Sequence, residues 1–302
     1  MRRVVPRLLP NGEYRIVYPF HVSLKGMDNL ILYRDDEDYD IMVKYIAVCA
    51  RRKNVIVIIY AVVSNHCHVA VLAATQADAD SFAQELKRMY SMWFSSKYNQ
   101  EGVLNGVDAK ALLLENEWHL RNALAYIPRN SLDNGCPVHE YEWSGFRAMF
   151  STQKSTPAKP VASLKKRERD AIMHTRDSLK DTTWLLDSNN RLVPGSFCDT
   201  KYLEDVFNGD QAYFLKVIGM LNVAEMDEKL VEAPRRLLPD TDFRKEVSDV
   251  SQRWFACDVS DLPKEKKYRL MQYIRRSRKT TVSQLARAFE LDPEEVKQRL
   301  RQ

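Results

Sequence analysis

The chain has 302 residues, 45% of them apolar, and a formal net charge of +5. This composition excludes an intrinsically disordered chain, and the length indicates two domains or one domain with substantial additions. The longest apolar run, over residues 55–63, is too short to cross a bilayer, and the first residues lack the apolar block of a secretory signal. Five scattered cysteines without a C-x-x-C pair exclude a zinc ribbon and a disulfide framework, so we predict a cytoplasmic protein with reduced thiols.

The pattern of the first half predicts alternating strands and helices. In chain order we predict a strand over residues 13–25, a helix from about 35 to 52, strands over 55–63 and 66–72, a helix over 76–98, a strand over 111–115 and a helix from 117 to about 126. This βαββαβα order indicates an α+β fold, in which an antiparallel-rich sheet of ferredoxin-like type carries helices mainly on one face.

The second half divides into a middle segment and a helical tail. Residues 151–240 read as a linker followed by two short helices, near 200–207 and 210–221. From residue 241 the pattern is purely helical, with helices predicted near 242–255, 261–277, 281–289 and 293–301. We therefore predict a first domain over residues 1–150, a linker and helical middle segment over residues 151–240, and a C-terminal domain over residues 241–302.

The last two predicted helices have the spacing of a helix-turn-helix. Asp292 is a helix cap and Pro293 takes the first helical position. Residues 263–302 hold twelve Lys and Arg against five Asp and Glu, a local charge of +7 that favours duplex DNA as the partner. A helical hairpin for protein contacts is the alternative. The candidate DNA-binding residues are Arg275, Arg276, Arg278, Lys297 and Arg299, together with Lys87 and Arg88 in the helix over residues 76–98.

Two histidines at the start of the strand over residues 66–72 are candidate metal ligands. Strand side chains alternate, so His66 and His68 share a face, which we expect to line a cleft, while Cys67 points into the core. Two imidazoles on one rigid face can bind a divalent cation. The alternative is an accidental pair on a half-exposed strand. His21, on the first long strand, is a candidate for a supporting position near them.

Tyr126 is the candidate nucleophile for a reaction at such a cation. Asn130 follows it by four residues, so a continuous helix would place both on one side, with the amide oxygen as a third metal ligand. Pro128 lies between them, removes a helical hydrogen bond and disfavours helix at Ile127. The sequence therefore leaves open whether Asn130 shares the face of Tyr126. A tyrosine buried for packing is the alternative.

Together these motifs resemble the REP-associated tyrosine transposases, which are single-tyrosine HUH endonucleases. Residues 65–68 match the family's histidine–apolar–histidine motif with its preceding asparagine, and Tyr126, Asn130 and Gly135 match its nucleophile motif. Residues 142–147 match its closing tryptophan-serine segment. The resemblance covers roughly residues 11–150, and the tail from about 241 is similar to the DNA-binding domain of the bacterial replication initiator.

The chain departs from the family pattern in three places. Cys67 is smaller than the usual middle residue of the histidine motif, and the family has its proline after the asparagine rather than at position 128. The segment over residues 102–108 is uncharged apart from Asp108, where the family has basic and aromatic residues. This last departure weakens the expectation of hairpin recognition.

The resemblance implies metal-dependent cleavage and rejoining of single-stranded DNA. Tyr126 would attack a phosphodiester, keep the 5′ side as a phosphotyrosine and release a 3′-hydroxyl, with Mg²⁺ or Mn²⁺ held by His66, His68 and Asn130. One alternative is a DNA-binding regulator on the same fold whose nuclease is disabled by the change at Pro128. Another is a histidine-based zinc hydrolase. The sequence leaves the choice between monomer and homodimer open.

Overall fold

A computed structural model describes residues 4–25, 31–102, 104, 107, 109–133, 135–151, 158–221, 240–277 and 280–299. The chain forms two compact units. The first comprises residues 1–105 and 109–232, and the second comprises residues 106–108 and 233–302. No helix in the described ranges combines the length and the apolar character that a membrane span requires.

The first unit is built on an antiparallel sheet. Its strands are β1 (Val5–Leu8), β2 (Tyr14–Lys25), β3 (Ile56–Val63), β4 (His66–Ala73) and β5 (Ala111–Leu113). The order is β1-β2-β4-β3, and β5 pairs with β2. Ser64 and Asn65 form the tight turn between β3 and β4. The residues of these two strands are mostly β-branched or otherwise apolar, and almost all of them are buried. The hairpin predicted from the sequence is confirmed.

Three long helices accompany this sheet. They are α1 (Asp36–Arg52), α2 (Gln76–Tyr98) and α3 (Glu117–Asp133). Side-chain caps fix the first two: Asp35 accepts from the backbone N–H of Asp38, and Thr75 accepts from that of Asp78. The α+β class, the antiparallel sheet and the helical C-terminal region predicted from the sequence are confirmed. Strand β1, which pairs with the start of β2, was not predicted.

Helix α3 continues past Pro128, although the sequence predicted that it would end near Tyr126. The side-chain amide of Asn130 supports this turn, because its Nδ2 donates to the carbonyls of Tyr126 (2.8 Å) and Ile127 (3.2 Å). Ser131 Oγ donates to the carbonyl of Pro128 at 3.0 Å. The N–H that proline lacks would bond the carbonyl of Leu124, four residues earlier, so these side-chain bonds reinforce the turn around Pro128 and do not replace the missing bond.

The described elements of the middle segment belong to the first unit. They are β6 (Lys159–Pro160), α4 (Lys166–Met173), β7 (Leu185–Leu186), α5 (Thr200–Val206) and α6 (Gln211–Met220). Helix α5 contacts β3 and α6 contacts α3. The backbone N–H of Asp199 donates to the carbonyl of Val57 at 2.8 Å, and that of Val62 donates to the carbonyl of Trp143 at 3.0 Å. The two predicted short helices are confirmed, and the predicted domain boundaries at residues 150 and 240 stay a prediction.

The described part of the second unit consists mainly of helices. It contains α7 (Asp240–Phe255), α8 (Lys264–Ser277), α9 (Val282–Phe289) and α10 (Pro293–Arg299). Thr281 caps α9, and Glu290 takes a left-handed conformation at the turn between α9 and α10. A shared apolar core holds the helices together and includes Phe243, Leu270, Ile274, Leu285, Phe289 and Val296. The helices lie within a few residues of the predicted bounds.

Candidate active site

Strand register places His21 and His68 on the same face of the sheet. In the β2–β4 pairing, Ser23 lies opposite His68 and His21 lies opposite Ala70, so the two histidines are diagonal neighbours. Helix α3 covers this face and contacts both β3 and β4. The result is a cluster of three histidines from two adjacent strands beneath one helix.

His66 is the half-buried member of the cluster and contacts Asn130. Its Nε2 lies 3.2 Å from Asn130 Oδ1, and its Nδ1 lies 2.6 Å from Asn65 Oδ1. The rings of His66 and His68 meet edge to face with centroids 4.8 Å apart. The orientation of the Asn130 amide is fixed, because its Nδ2 donates to backbone carbonyls and leaves Oδ1 for His66. Pro128 therefore does not swing Asn130 away from the histidines.

His68 is deeply buried, with 1% of its surface exposed. The sequence-based expectation that both histidines line a cleft is wrong for His68, because α3 covers its face of the sheet. Burial lowers the pKa of His68 well below the ordinary histidine value, and repulsion by His66 and His21 lowers it further. His68 is therefore neutral near pH 7, which is the form in which imidazole binds metals.

One nitrogen of His68 lacks a hydrogen-bond partner. Its Nδ1 lies 3.1 Å from His21 Nε2, but its buried Nε2 has no partner among the residues that the structure describes. An orphaned nitrogen in a buried polar cluster is unusual, because buried polar atoms are nearly always paired.

Tyr126 lies against the histidine cluster and is 2% exposed. Its ring meets the His68 ring at 5.1 Å between centroids and the His21 ring at 6.5 Å, both nearly perpendicular. The sequence left open whether Tyr126 and Asn130 face the same side of α3. Tyr126 contacts His68 and Asn130 contacts His66, so the helix presents both residues to the same cluster.

The donor set of this cluster fits a divalent cation. If Nδ1–H of His66 donates to Asn65, then Nε2 of His66 carries a lone pair that faces the Oδ1 oxygen of Asn130 at 3.2 Å. Two acceptors at this distance repel each other unless a cation lies between them. Adjacent ligands of an octahedral ion with bonds of about 2.1 Å are about 3 Å apart, which matches this separation. The orphaned Nε2 of His68 would be the third donor. The described residues contain no metal-binding group built from three or more His, Cys, Asp or Glu side chains.

Cys67, between the two histidines, is a core residue. It is 0% exposed, and burial raises the pKa of its thiol to about 12. The thiol therefore stays protonated and packs as a small apolar side chain. The departure from the family motif at this position leaves the placement of His66 and His68 on one face unchanged.

The predicted DNA-binding residues lie outside this cluster, and their roles stay predictions. Lys87 is half-buried, and Arg88 is exposed but bound to Glu85, with nitrogen–oxygen distances of 2.8 and 3.0 Å. In the second unit, Arg275 is exposed and forms no ion pair within the described ranges. Lys297 approaches Glu294 at 3.4 Å, and the Arg299 guanidinium lies 5.1 Å from the centre of the Tyr268 ring. The side chain of Arg276 and the whole of Arg278 lie outside the described residues.

Comparison with known families supplies independent information on this site. Residues 31–106 match the family model described as "Transposase IS200 like". The matched segment is about a quarter of the chain and contains His66 and His68, but it ends before Tyr126 and Asn130. The match supports a DNA-binding, transposase-type protein that cleaves and rejoins DNA. No curated protein and no solved structure matched the chain significantly.

Proposed function

We propose that this chain is a single-tyrosine transposase of the REP-associated type, which cleaves and rejoins single-stranded DNA through a 5′-phosphotyrosine. The observation that carries the proposal is the meeting of His66, His68, Asn130 and Tyr126 in one enclosed cluster. The match of residues 31–106 to IS200-like transposases supports the same class of chemistry.

Tyr126 supplies the nucleophile in the proposed reaction. Its hydroxyl oxygen forms a bond to the scissile phosphorus, the bond from phosphorus to the 3′ oxygen breaks, and the phenolic proton ends on the released 3′-hydroxyl by way of solvent. One phosphodiester is exchanged for another, so the strand can be rejoined by the reverse step without nucleotide hydrolysis.

His66, His68 and Asn130 would hold the cation that the reaction requires. Mg²⁺ or Mn²⁺ bound there would act as a Lewis acid on the scissile phosphate. The histidines would each offer a ring nitrogen to the cation, and Asn130 would offer its amide oxygen. This mixed set of nitrogen and oxygen ligands suits Mn²⁺ well, whereas Mg²⁺ would be bound mainly by the oxygen and by added waters. The role of α3 is to carry the nucleophile and one ligand on a single rigid element, so that their separation is fixed.

The enclosure of the cluster has a consequence for DNA entry. Tyr126 is 2% exposed and His68 is 1% exposed, so a phosphodiester reaches the tyrosine only after neighbouring side chains move. His66, the half-buried member, marks the side of the cluster that lies nearest to solvent. We therefore expect DNA binding to precede or accompany opening of this face.

The burial of Tyr126 favours one second candidate, a DNA-binding regulator that retains the fold without cleavage. A packed tyrosine would be equally buried in such a protein. The change at Pro128 was the reason to expect a disabled nuclease, and the contact between Asn130 and His66 removes that reason. The two candidates differ in whether a covalent adduct forms on DNA.

The experiment that separates them is covalent trapping. The full chain is incubated with single-stranded oligonucleotides and Mn²⁺, and peptide mass spectrometry locates any 5′-phosphoryl adduct. We expect the adduct on Tyr126, and its loss in Tyr126→Phe with folding and DNA binding retained. Tyr98→Phe is the matched control, because the Tyr98 hydroxyl donates to Asp38 at 2.6 Å and its pKa is raised to about 12 by burial and by that carboxylate. Metal-dependent cleavage without an adduct, or an adduct on Tyr98, would refute the proposal.

The helix pair α9–α10 extends the proposal to duplex DNA. Arg275, Lys297 and Arg299 are exposed in the second unit, whose C-terminal stretch carries the basic charge. Phosphate contacts from such residues would hold duplex DNA in a salt-dependent manner, independently of the cleavage site.

A further inference from the structure

His21 and His68 form a hydrogen-bonded pair of buried imidazoles. Both residues are 1% exposed, and Nε2 of His21 lies 3.1 Å from Nδ1 of His68. Their rings are stacked, with centroids 5.1 Å apart and planes inclined by 16°. One ring must donate and the other accept, because two lone pairs or two N–H groups at this distance would repel.

The direction of this bond decides what the other nitrogen of His68 can do. If His68 Nδ1–H donates to His21, then His68 Nε2 carries a lone pair and needs no acceptor. If the bond runs the other way, Nε2 carries a proton in a buried position where no described residue accepts it. An unpaired buried donor is costly, so the first arrangement is favoured for a site that binds a cation.

We propose that His21 is a positioning residue, which accepts the Nδ1 proton of His68 and thereby holds the lone pair of His68 Nε2 ready for a divalent cation. This inference rests on the proposed function, since it concerns the same cation site. A partner on the second nitrogen of a ligating histidine fixes both its tautomer and its ring orientation. Here that partner is another histidine.

The surroundings make His21 a rigid support. Its backbone lies in β2 between two strands, opposite Ala70 of β4 and Leu112 of β5. The Tyr126 ring stands nearly perpendicular to both imidazoles, with its centroid 5.1 Å from that of His68 and 6.5 Å from that of His21. His21 therefore links the orientation of a metal ligand to the position of the nucleophile.

Two substitutions separate the hydrogen bond from the packing. His21→Phe keeps a flat ring beside His68 but removes the acceptor. His21→Gln restores an acceptor oxygen without the ring. Removal of such a partner typically weakens metal binding by about 10- to 100-fold. We expect this loss in His21→Phe and substantial recovery in His21→Gln. His139→Gln is the control, because His139 lies on the surface.

The first readout needs no metal and no activity. Two-dimensional ¹⁵N NMR of the full chain with labelled histidines reports which nitrogen of His68 is protonated. We expect protonated Nδ1 and bare Nε2 in the wild type, and a mixture or reversal of tautomers in His21→Phe. The second readout is Mn²⁺ affinity, measured by calorimetry on the same proteins.

The outcomes distinguish this inference from the proposed function. A protonated Nε2 in the wild type, or Mn²⁺ affinity that is unchanged in His21→Phe, overturns the role of His21. Wild-type protein with the expected tautomer but no Mn²⁺ binding supports the pairing of the two histidines and overturns the proposed metal-dependent reaction. The expected tautomer together with affinity that falls in His21→Phe and recovers in His21→Gln supports both.

Discussion

Replacement of Asn130 by alanine removes three polar contacts at one buried position. Asn130 is 3% exposed, and its Nδ2 donates to the carbonyls of Tyr126 and Ile127 at 2.8 and 3.2 Å. Its Oδ1 lies 3.2 Å from His66 Nε2. A buried hydrogen bond contributes about 0.5–1.5 kcal/mol net, so the two bonds from Nδ2 predict a loss of about 1–3 kcal/mol in the free energy of unfolding.

This loss can be measured by urea unfolding followed by tryptophan fluorescence. Trp93, Trp118, Trp143 and Trp184 lie in the first unit, and Trp254 lies in the second. A Trp254→Phe background therefore makes the fluorescence report on the unit that contains Asn130. In this background we expect Asn130→Ala to unfold at lower urea concentration than the parent, with an unchanged slope.

The same proteins test the contact with the cation. Mn²⁺ at 100 times its dissociation constant should stabilise the parent by about 2.7 kcal/mol, and a variant that lacks one of three ligands should gain less. Asn130→Asp is the matched variant, since it loses the amide donor but keeps an oxygen for the cation. We expect it to be destabilised without Mn²⁺ and rescued by Mn²⁺. If Asn130→Ala matches the parent in both stability and Mn²⁺ gain, the contacts assigned to Asn130 are wrong.

Three further predictions concern the histidines and the second unit. Replacement of both His66 and His68 by alanine should abolish metal-dependent cleavage in a gel assay, and cleavage by this double variant at the wild-type rate would exclude the metal site. Circular dichroism of the double variant checks that the fold survives the loss of the buried His68. Replacement of Arg275 or Lys297 by glutamine should lower the salt dependence of duplex binding by about one phosphate contact each in fluorescence anisotropy, and unchanged salt dependence would argue for protein contacts. The free energy of unfolding of the metal-free protein should fall as the pH drops below about 6.5, by up to about 1.4 kcal/mol per pH unit. The reason is that the unfolded chain binds a proton at His68, whereas the folded chain, in which the pKa of His68 is lowered, does not. A His68→Asn variant whose stability has the same pH slope would contradict this cause.

Local signals in the sequence were sufficient for much of the fold. The apolar stripe of α2 was sufficient to predict that helix, which spans the predicted residues 76–98. Strand alternation placed His66 and His68 on one face, because the period of two is a property of the strand itself. These features depend on neighbours in the chain, so a pattern can reveal them.

Features that depend on tertiary contacts were not predictable in the same way. Pro128 favours a helix end, yet α3 continues to Asp133, where tertiary contacts hold it against the sheet and the side chains of Asn130 and Ser131 bond carbonyls in the turn around Pro128. The burial of His68 results from α3 lying over the sheet. The sequence suggested that His21 lies near the other two histidines, but its contact with His68 requires the register of β2 against β4, which a single sequence does not specify.

The contacts that cover the outer edge of β3 determine where this chain can be truncated without exposing that edge. Strand β3 is the last in the sheet order, and eight mostly β-branched residues at a free edge would be a template for intermolecular strand pairing. The carbonyl of Trp143 accepts from the backbone N–H of Val62 and covers one half of that edge. The backbone N–H of Asp199 donates to the carbonyl of Val57 and covers the other half. A fragment that ends at residue 150 would keep the first cover and lose the second. Such a fragment should aggregate, whereas one that extends to residue 221 would retain both covers.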